Sequence, residues 1–258
     1  MSLKFNEFVS FANSLADIAT KISMQYFRNK LDIENKHDES PVTIADKETE
    51  KIIRDKIRST YPDHGILGEE YENENLDSEF IWVIDPIDGT RSYIAGHKDF
   101  GNLISLLHNG KPILGIINCP AHNDRWIGVQ NTKTTCNNRE VSCSGVSSLN
   151  SAYLFTSGIY FYEPTLQKGI ELLKKKSQYF RLGGDCYMYG MLSSGFIDIV
   201  VEDTLKVHDY MALVNVVEGA GGKITDKFGK PITLQSDGSL IASSSDTLHN
   251  EIIELINQ

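Results

Sequence analysis

The apolar positions near the start of the chain recur every three or four residues, which is the spacing of one face of a helix. They are Phe5, Phe8, Ala12, Leu15, Ala19, Ile22 and Tyr26. A second apolar stripe, formed by Thr49, Ile52, Ile53 and Ile57, predicts another helix over 47–59. Residues 31–40 lie between these helices and are polar and charged, so we expect a mobile loop there.

Short apolar runs bounded by turn residues predict β-strands in the middle of the chain. Buried strands are expected first at 64–68 and 80–84, and further runs follow at 102–107, 112–118, 125–129 and 135–143. Turn pairs such as Asn109-Gly110 separate the later runs, and this pattern favours an antiparallel sheet.

The pattern changes after the small, polar segment 145–150. Strands at 152–156, 179–182 and 197–202 alternate with helices at about 164–176, 186–194, 210–220 and 247–256. This alternation is typical of an α/β unit. A chain of 258 residues can bury a substantial core, so we expect one domain over 1–258 with lobes of about 1–145 and 146–258.

Two carboxylates stand where the strand at 80–84 is expected to end, in Asp85-Pro86-Ile87-Asp88-Gly89-Thr90. Pro86 donates no hydrogen bond and favours an extended Asp85, so the chain should turn and aim both acids at one point. Converging carboxylates repel unless cations lie between them, and Mg²⁺ prefers oxygen ligands. The sequence therefore predicts a Mg²⁺ site, although Asp-Pro and Asp-Gly are also common in plain turns.

Three further acids at the ends of elements could join this site. Glu69 and Glu70 close a short strand, and adjacent side chains point to opposite faces, so we assign Glu69, which follows the apolar run. Asp209 opens a predicted helix, where a simple N-cap is the alternative. Asp46 follows Thr43 at the spacing of a capping box, and a cap alone would also explain it.

Four motifs in this order resemble the inositol monophosphatase superfamily of Mg²⁺-dependent, Li⁺-inhibited phosphatases. They are V-T-x-x-D at 42–46, G-E-E at 68–70, W-x-x-D-P-x-D-G-T at 82–90, and D-x-x-A with A-G-G at 209–222. The resemblance extends from about Pro41 to Asp226. It implies an α/β fold of five αβαβα layers, with an α+β N-terminal lobe and an α/β C-terminal lobe.

The resemblance also implies a set of metal ligands. Glu69, Asp85 and the backbone carbonyl of Ile87 would bind a first Mg²⁺. Asp85, Asp88 and Asp209 would bind a second, with two or three ions in all. Two metals can neutralise phosphate charge, hold a nucleophile in line and help the leaving oxygen, so this arrangement suits the hydrolysis of a phosphomonoester.

Further roles follow from the same resemblance. Asp46 and Thr90 would orient and deprotonate the attacking water, and Glu69 would complete the catalytic group. A helix beginning after Gly89 would hold the phosphate at its N-terminus. The implied phosphate-binding residues are Asp88, Gly89, Thr90 and Arg91.

Other segments resemble the histidinol-phosphate phosphatase branch, namely G-T-R-S-Y at 89–93, G-G-D-C-Y-M-Y at 183–189 and V-V-E at 200–202. That branch typically has a proline and an aromatic residue where this chain has Val207 and His208. Histidinol phosphate carries an ammonium and an imidazole, so its pocket should contain acids that bind no metal. Asp185 and Glu202 are the candidates, although Asp185 could instead be a helix N-cap.

Alternative functions remain open at this point. Inositol-1-phosphate is the second candidate substrate, followed by nucleotide and sugar bisphosphates. A catalytically silent binding protein with this fold is disfavoured, because no expected metal or base position is substituted.

Composition narrows the possible partners and location. A formal net charge of −10 argues against nucleic acids and anionic membranes. Cys119, Cys136, Cys143 and Cys186 lack zinc-binding spacing, and we interpret them as reduced thiols of a cytoplasmic protein. We expect no signal or transmembrane segment. The resemblance implies a homodimer.

Overall fold

The computed structural model describes residues 3–30, 33–35, 41–158 and 163–258. The helices in these ranges are α1 Leu3–Tyr26, α2 Ile44–Thr60, α3 Thr90–Ile94, α4 Pro164–Lys176, α5 Tyr187–Ser193, α6 Val207–Gly219 and α7 Asp246–Ile256. The strands are β1 Ile33–Asn35, β2 Pro41–Thr43, β3 Gly65–Gly68, β4 Phe80–Asp88, β5 Gly101–His108, β6 Lys111–Cys119, β7 Asp124–Val129, β8 Thr135–Cys136, β9 Arg139–Glu140, β10 Tyr153–Thr156, β11 Tyr179–Leu182, β12 Ile199–Glu202, β13 Lys223–Thr225 and β14 Leu240–Ser243. Over these ranges, no helix combines the length and apolar character needed to cross a bilayer.

Two large sheets organise the fold. The first has seven strands in the order β3-β4-β5-β6-β7-β8-β9, and every pair except the parallel β3–β4 pair is antiparallel. The second has five strands in the order β11-β10-β12-β14-β13, with β10 parallel to both of its neighbours. The antiparallel sheet predicted in the first half of the chain is therefore confirmed.

Among the described residues, three of the hydrophobic cores hold five layers together. Helices α1 and α2 cover one face of the larger sheet, where Leu15 packs with Trp82. Helices α5 and α6 lie between the sheets in a core that includes Trp126 and Met211. Helices α4 and α7 cover the outer face of the smaller sheet around Leu154. The αβαβα sandwich is confirmed.

Helix α6 lies unusually close to the larger sheet because glycines face it. A Cβ at Gly115 would stand 2.0 Å from the carbonyl oxygen of Ala212, and one at Gly128 would stand 2.2 Å from the carbonyl carbon of Asn215. No side chain fits in either place without moving backbone. These glycines therefore fix the depth of the helix that bears Asp209.

The prediction that the strand at 80–84 ends at Ile84 is wrong. Strand β4 continues through Asp88, with a register shift between Asp85 and Asp88. Pro86 lacks an N–H, and its carbonyl accepts a hydrogen bond of 2.6 Å from the Asn102 side-chain amide. A bulged strand, rather than a turn, therefore presents the two acids.

Other differences are local. The run at 135–143 contains two short strands, because Asn137 and Asn138 have φ angles of 49° and 64° and form a tight turn. Strands β13 and β14 were not predicted. Of the loop predicted at 31–40, Ile33–Asn35 forms β1, and residues 31–32 and 36–40 lie outside the described ranges.

Candidate active site

Three acids converge where the end of β4 meets the start of α6. Single carboxylate oxygens of Asp85, Asp88 and Asp209 all lie within 4.8 Å of one another. Asp85 is only 1 % exposed. The fold therefore brings together three of the four predicted carboxylate ligands, although Asp209 lies more than a hundred residues beyond Asp85 and Asp88 in the chain.

A backbone N–H orients each of these carboxylates. The bonds run from Ile87 N–H to Asp85 Oδ1 at 3.0 Å, from Cys186 N–H to Asp88 Oδ2 at 2.7 Å, and from Lys206 N–H to Asp209 Oδ2 at 2.6 Å. The other Asp209 oxygen, Oδ1, lies 3.4 Å from His208 Nε2. Asp209 thus caps α6 through Oδ2, and Oδ1 is not part of the cap.

The electrostatics of the cluster favour a cation. Burial raises the pKa of Asp85 well above its usual range, and repulsion by Glu69 and Asp88 adds to the effect. Burial likewise raises the pKa of Asp88 and of Asp209. A bound cation would relieve this crowding, and a donor set made only of carboxylate oxygens suits a hard divalent ion.

Glu69 follows β3 directly and lies close to this cluster. Its charge raises the pKa of both Asp85 and Asp46. Thr90 follows the bulge in the chain, and its hydroxyl donates a 3.0 Å hydrogen bond to the carbonyl oxygen of Ile87. The carbonyl predicted as a metal ligand therefore already has a protein donor on one lone pair.

Asp46 forms the capping box suggested by the sequence. Its Oδ2 accepts from the Thr43 N–H at 2.8 Å and from the Thr43 hydroxyl at 2.6 Å. Its Oδ1 is buried and has no hydrogen-bond partner among the described residues. Burial raises the pKa of Asp46 to about 6. The cap accounts for the contacts of Oδ2 only. The proton relay between Asp46 and Thr90 stays a prediction, since no hydrogen bond within the described ranges joins the two side chains.

The predicted phosphate-binding turn requires glycine at position 89. Gly89 has a left-handed φ of 77°, and a Cβ there would lie 2.8 Å from Asp185 Cγ. The helix that follows, α3, has only five residues, so any phosphate binding would depend on the N–H groups of its first turn rather than on a long helix dipole. Arg91 is exposed beside a cavity of about 580 Å³ that Arg181 also lines.

Asp185 does not cap α5, so that alternative is wrong. Cys186 occupies the N-cap position, and Asp185 has a left-handed φ of 41°. Its Oδ2 instead accepts a 2.5 Å hydrogen bond from the Ser92 hydroxyl. Burial raises the pKa of Asp185, although the bond from Ser92 opposes the shift.

Glu202 is buried at the end of β12. The Tyr189 hydroxyl donates to its Oε2 at 2.6 Å, and burial raises its pKa to about 7. Glu202 lines a cavity of about 150 Å³ together with three other acids and five neutral residues: Asp88, Asp185, Asp209, Ser157, Cys186, Tyr189, Leu205 and Leu213 complete its wall. Among the described lining residues there is no lysine, arginine or histidine.

Ser92 and Tyr189 were missed as partners of the site acids. Ser92 lies 93 residues from Asp185 in the chain, and no local pattern links the two. Tyr189 stands in the G-G-D-C-Y-M-Y segment that had been noted, so its place beside the site had a signal although its contact with Glu202 did not.

The chain is similar to known phosphatases over almost its whole length. The chain is 41% identical to the bifunctional phosphatase IMPL2, chloroplastic, of Arabidopsis thaliana, over 93% of this chain and 70% of that protein. It is 32% identical to a histidinol-phosphatase of Chlorobaculum parvum, over 91% of each chain. A solved inositol monophosphatase from Zymomonas mobilis superposes over the whole of both chains with a TM-score of 0.90 and 38% identity.

The sequence profile of the inositol monophosphatase family matches residues 4–258, which include every acid of the cluster. The chain therefore belongs to the inositol monophosphatase family of phosphatases.

Proposed function

We propose that this protein is a Mg²⁺-dependent phosphomonoesterase whose metal ligands are Glu69, Asp85, Asp88, Asp209 and the Ile87 carbonyl. The observation that supports this most strongly is the convergence of three carboxylates, one buried and two half-buried, beside a cavity whose described lining residues include no cationic side chain. Mg²⁺ bound there would neutralise phosphate charge and make water more acidic.

The chain's own groups would then hold the substrate and move the proton. The N–H groups of Gly89, Thr90 and Arg91 can donate to phosphate oxygens. Asp46 is ionised at neutral pH, since its pKa is about 6, and its Oδ1 is available to accept a proton. The Thr90 hydroxyl would give up its hydrogen bond to the Ile87 carbonyl and bond to the attacking water instead, which would orient that water.

The proposed substrate is histidinol phosphate. Asp185 and Glu202 are acids beyond those assigned to metal, and burial raises the pKa of each. A cationic alcohol would lower the cost of ionising both and would form charge-assisted hydrogen bonds. Inositol-1-phosphate is the second candidate, since a neutral polyol can donate hydroxyl hydrogen bonds to the same acids.

A substrate screen tests this proposal. Purified protein is assayed with histidinol phosphate, inositol-1-phosphate, fructose bisphosphate and adenosine bisphosphate, each with Mg²⁺ and with EDTA. We expect Mg²⁺-dependent phosphate release and the highest kcat/KM for histidinol phosphate. Preference for inositol-1-phosphate would overturn the substrate but leave the metal assignment, whereas no release from any ester would indicate a silent binding protein.

The proposal extends to a cytoplasmic homodimer that Li⁺ inhibits. All four cysteines are free thiols. Tyr179, 60 % exposed, and Leu182 lie on β11 at the edge of the smaller sheet, and exposed apolar side chains on an edge strand favour association. Light scattering after size exclusion tests the dimer, and inhibition of phosphate release by millimolar Li⁺ tests the metal chemistry.

A further inference from the structure

A buried ion pair on α2 lies directly beneath the segment that begins with Glu69. Glu50 and Arg54 are almost completely buried, and Arg54 Nε donates to Glu50 Oε1 at 2.7 Å. Arg54 Nη1 also contacts Glu74 Oε1 at 2.8 Å. A buried ion pair by itself is weak evidence of stabilisation, so the other groups that this pair contacts decide what it does.

Those other groups are backbone atoms of the segment 69–72. Glu50 accepts N–H donors from Glu69 at 3.0 Å, Glu70 at 2.8 Å and Tyr71 at 3.3 Å, while Arg54 donates to the carbonyls of Tyr71 at 3.1 Å and Glu72 at 2.9 Å. One carboxylate and one guanidinium therefore fix five backbone groups over four residues.

The segment they hold has little regular structure of its own. It follows β3 as bends, and the next backbone pairing is an isolated bridge between Ile66 and Glu74. Its approach to α2 is also tight, because a Cβ at Gly68 would lie 2.1 Å from Glu50 Oε1. Beyond the end of β3, Glu50 thus accepts the backbone N–H of Glu69 directly.

We propose that Glu50 and Arg54 are a positioning pair that sets where Glu69 presents its carboxylate, and thereby sets the affinity for Mg²⁺. The inference rests on the proposed metal-dependent function. Neither residue is assigned as a ligand. Each acts through the backbone of Glu69, and residues that orient a metal ligand typically change metal affinity about 10- to 100-fold when replaced.

The test is calorimetric titration of Mg²⁺ into wild-type protein, Glu50→Gln and Arg54→Lys, with phosphate release measured in parallel. A glutamine keeps one acceptor oxygen but turns N–H groups toward the remaining donors, and a lysine cannot reach all the partners of Arg54. We expect the Mg²⁺ Kd to rise about tenfold in each variant. At saturating Mg²⁺, kcat should largely recover.

Lys227→Met is the matched control. Lys227 is 7 % exposed and pairs with Asp237 at 2.6 Å in the other half of the fold. This variant should lose stability while keeping the wild-type Mg²⁺ Kd. If it weakens Mg²⁺ as much as Glu50→Gln does, general destabilisation explains the effect and the proposal fails.

A charge-removing variant separates position from electrostatics. If only the charge of the pair mattered, Arg54→Met would leave the site more negative and Mg²⁺ would bind as tightly as before or tighter. Positioning predicts weaker binding in both Arg54→Met and Glu50→Gln. An unchanged or lower Kd in Arg54→Met overturns the proposal.

A milder variant covers the case in which the buried substitutions do not fold. Glu74, which is partly exposed, accepts one hydrogen bond from Arg54 and also pairs with Arg58, so Glu74→Ala removes one of the contacts that hold Arg54, and we expect a smaller rise in Kd of about threefold. An unchanged Kd in folded Glu74→Ala would then overturn the proposal. If wild-type protein itself binds no Mg²⁺ and needs none for phosphate release, the proposed function fails instead.

Discussion

Asp46 and Asp209 occupy the same local position, the third residue of a helix, and each accepts the N–H of the residue that precedes the helix. A cap holds a carboxylate in one orientation without using its second oxygen. The alternative of cap or functional acid, which the sequence left open, is therefore not exclusive at either residue. The variants that follow separate the two roles.

Asp46→Asn should keep the fold and lose catalysis. The amide oxygen can still accept from Thr43, so we expect a stability loss of at most about 1 kcal/mol. If Asp46 takes the proton of the attacking water, kcat should fall by about 10²- to 10⁴-fold. Urea unfolding and steady-state kinetics measure the two effects.

Ser245→Ala is the control for loss of a cap. Ser245 caps α7 through a 3.2 Å bond from the Leu248 N–H, far from the acid cluster in the fold's outer layer. It should cost about 1 kcal/mol and leave kcat unchanged. Near-normal turnover in Asp46→Asn would remove Asp46 from the catalytic group.

The pH profile gives a second measure of Asp46. Because protonated Asp46 cannot accept a proton, wild-type kcat/KM should fall as the pH drops below about 6, the raised pKa of this group. Asp46→Asn should lack that acid limb. A limb of the same shape in the variant would assign it to another residue.

Asp185→Asn should discriminate between substrates. The proposed contact with a cationic alcohol is a charge-assisted hydrogen bond, so KM for histidinol phosphate should rise about tenfold or more. Glycerol phosphate, which is small and has a neutral alcohol portion, should be almost unaffected. Equal losses on both esters would mean that Asp185, through its bond from Ser92, only supports the structure.

At the scale of elements, the spacing of apolar residues was enough to predict a helix that buries one face, such as α4. Helix α4 has the predicted bounds, because its apolar positions recur at helical spacing between Pro164 and the lysines of its last turn. Strand β4 was misjudged because its continuation past Pro86 depends on Asn102 of the neighbouring strand. Strands of three or four residues, such as β13 and β14, contain too few positions to show a period.

Gly128→Ala tests how helix α6 is placed. The added Cβ would meet the backbone of Asn215 at 2.2 Å, so the helix must move or the strand must bend. We expect a loss of about 1–3 kcal/mol in the free energy of unfolding and weaker Mg²⁺ binding, since Asp209 moves with the helix. Gly110→Ala meets nothing within 4 Å and changes only backbone strain at a φ of 74°.

The Gly110→Ala control should therefore lose stability by about 1 kcal/mol and keep the wild-type Mg²⁺ Kd. If Gly128→Ala binds Mg²⁺ as wild type does, the close packing of α6 does not position the site.

At the scale of the whole molecule, the acid cluster that the proposed function requires should lower the stability of the metal-free fold at neutral pH and above. Burial raises the folded-state pKa of Asp85, Asp88 and Asp209 and brings that of Glu202 to about 7. Folding without metal therefore takes up protons. The free energy of unfolding in EDTA should rise as the pH falls from 8 to 6.5, by about 1–2 kcal/mol.

The range from pH 8 to 6.5 lies above the pH at which His249 would have the opposite effect on stability. Burial lowers the pKa of His249 to about 4, so below about pH 6.5 the unfolded chain gains a proton that the folded chain does not. Saturating Mg²⁺ should raise the free energy of unfolding most at pH 8, so that it depends less on pH than it does in EDTA. Urea unfolding that shows a fall in stability from pH 8 to 6.5 in EDTA would contradict this electrostatic picture.

The most direct test of the account is phosphate release as a function of Mg²⁺ concentration by wild type and Asp85→Asn, with Asp198→Asn as a control for a buried aspartate outside the site. Wild type should be inactive in EDTA and activated by Mg²⁺, and Asp198→Asn should share that dependence. Asp85→Asn should retain less than about 1% of the turnover at saturating Mg²⁺, because it replaces the charged carboxylate assigned to both metals with a neutral amide. Near-normal turnover by Asp85→Asn, or full wild-type activity in EDTA, would contradict it.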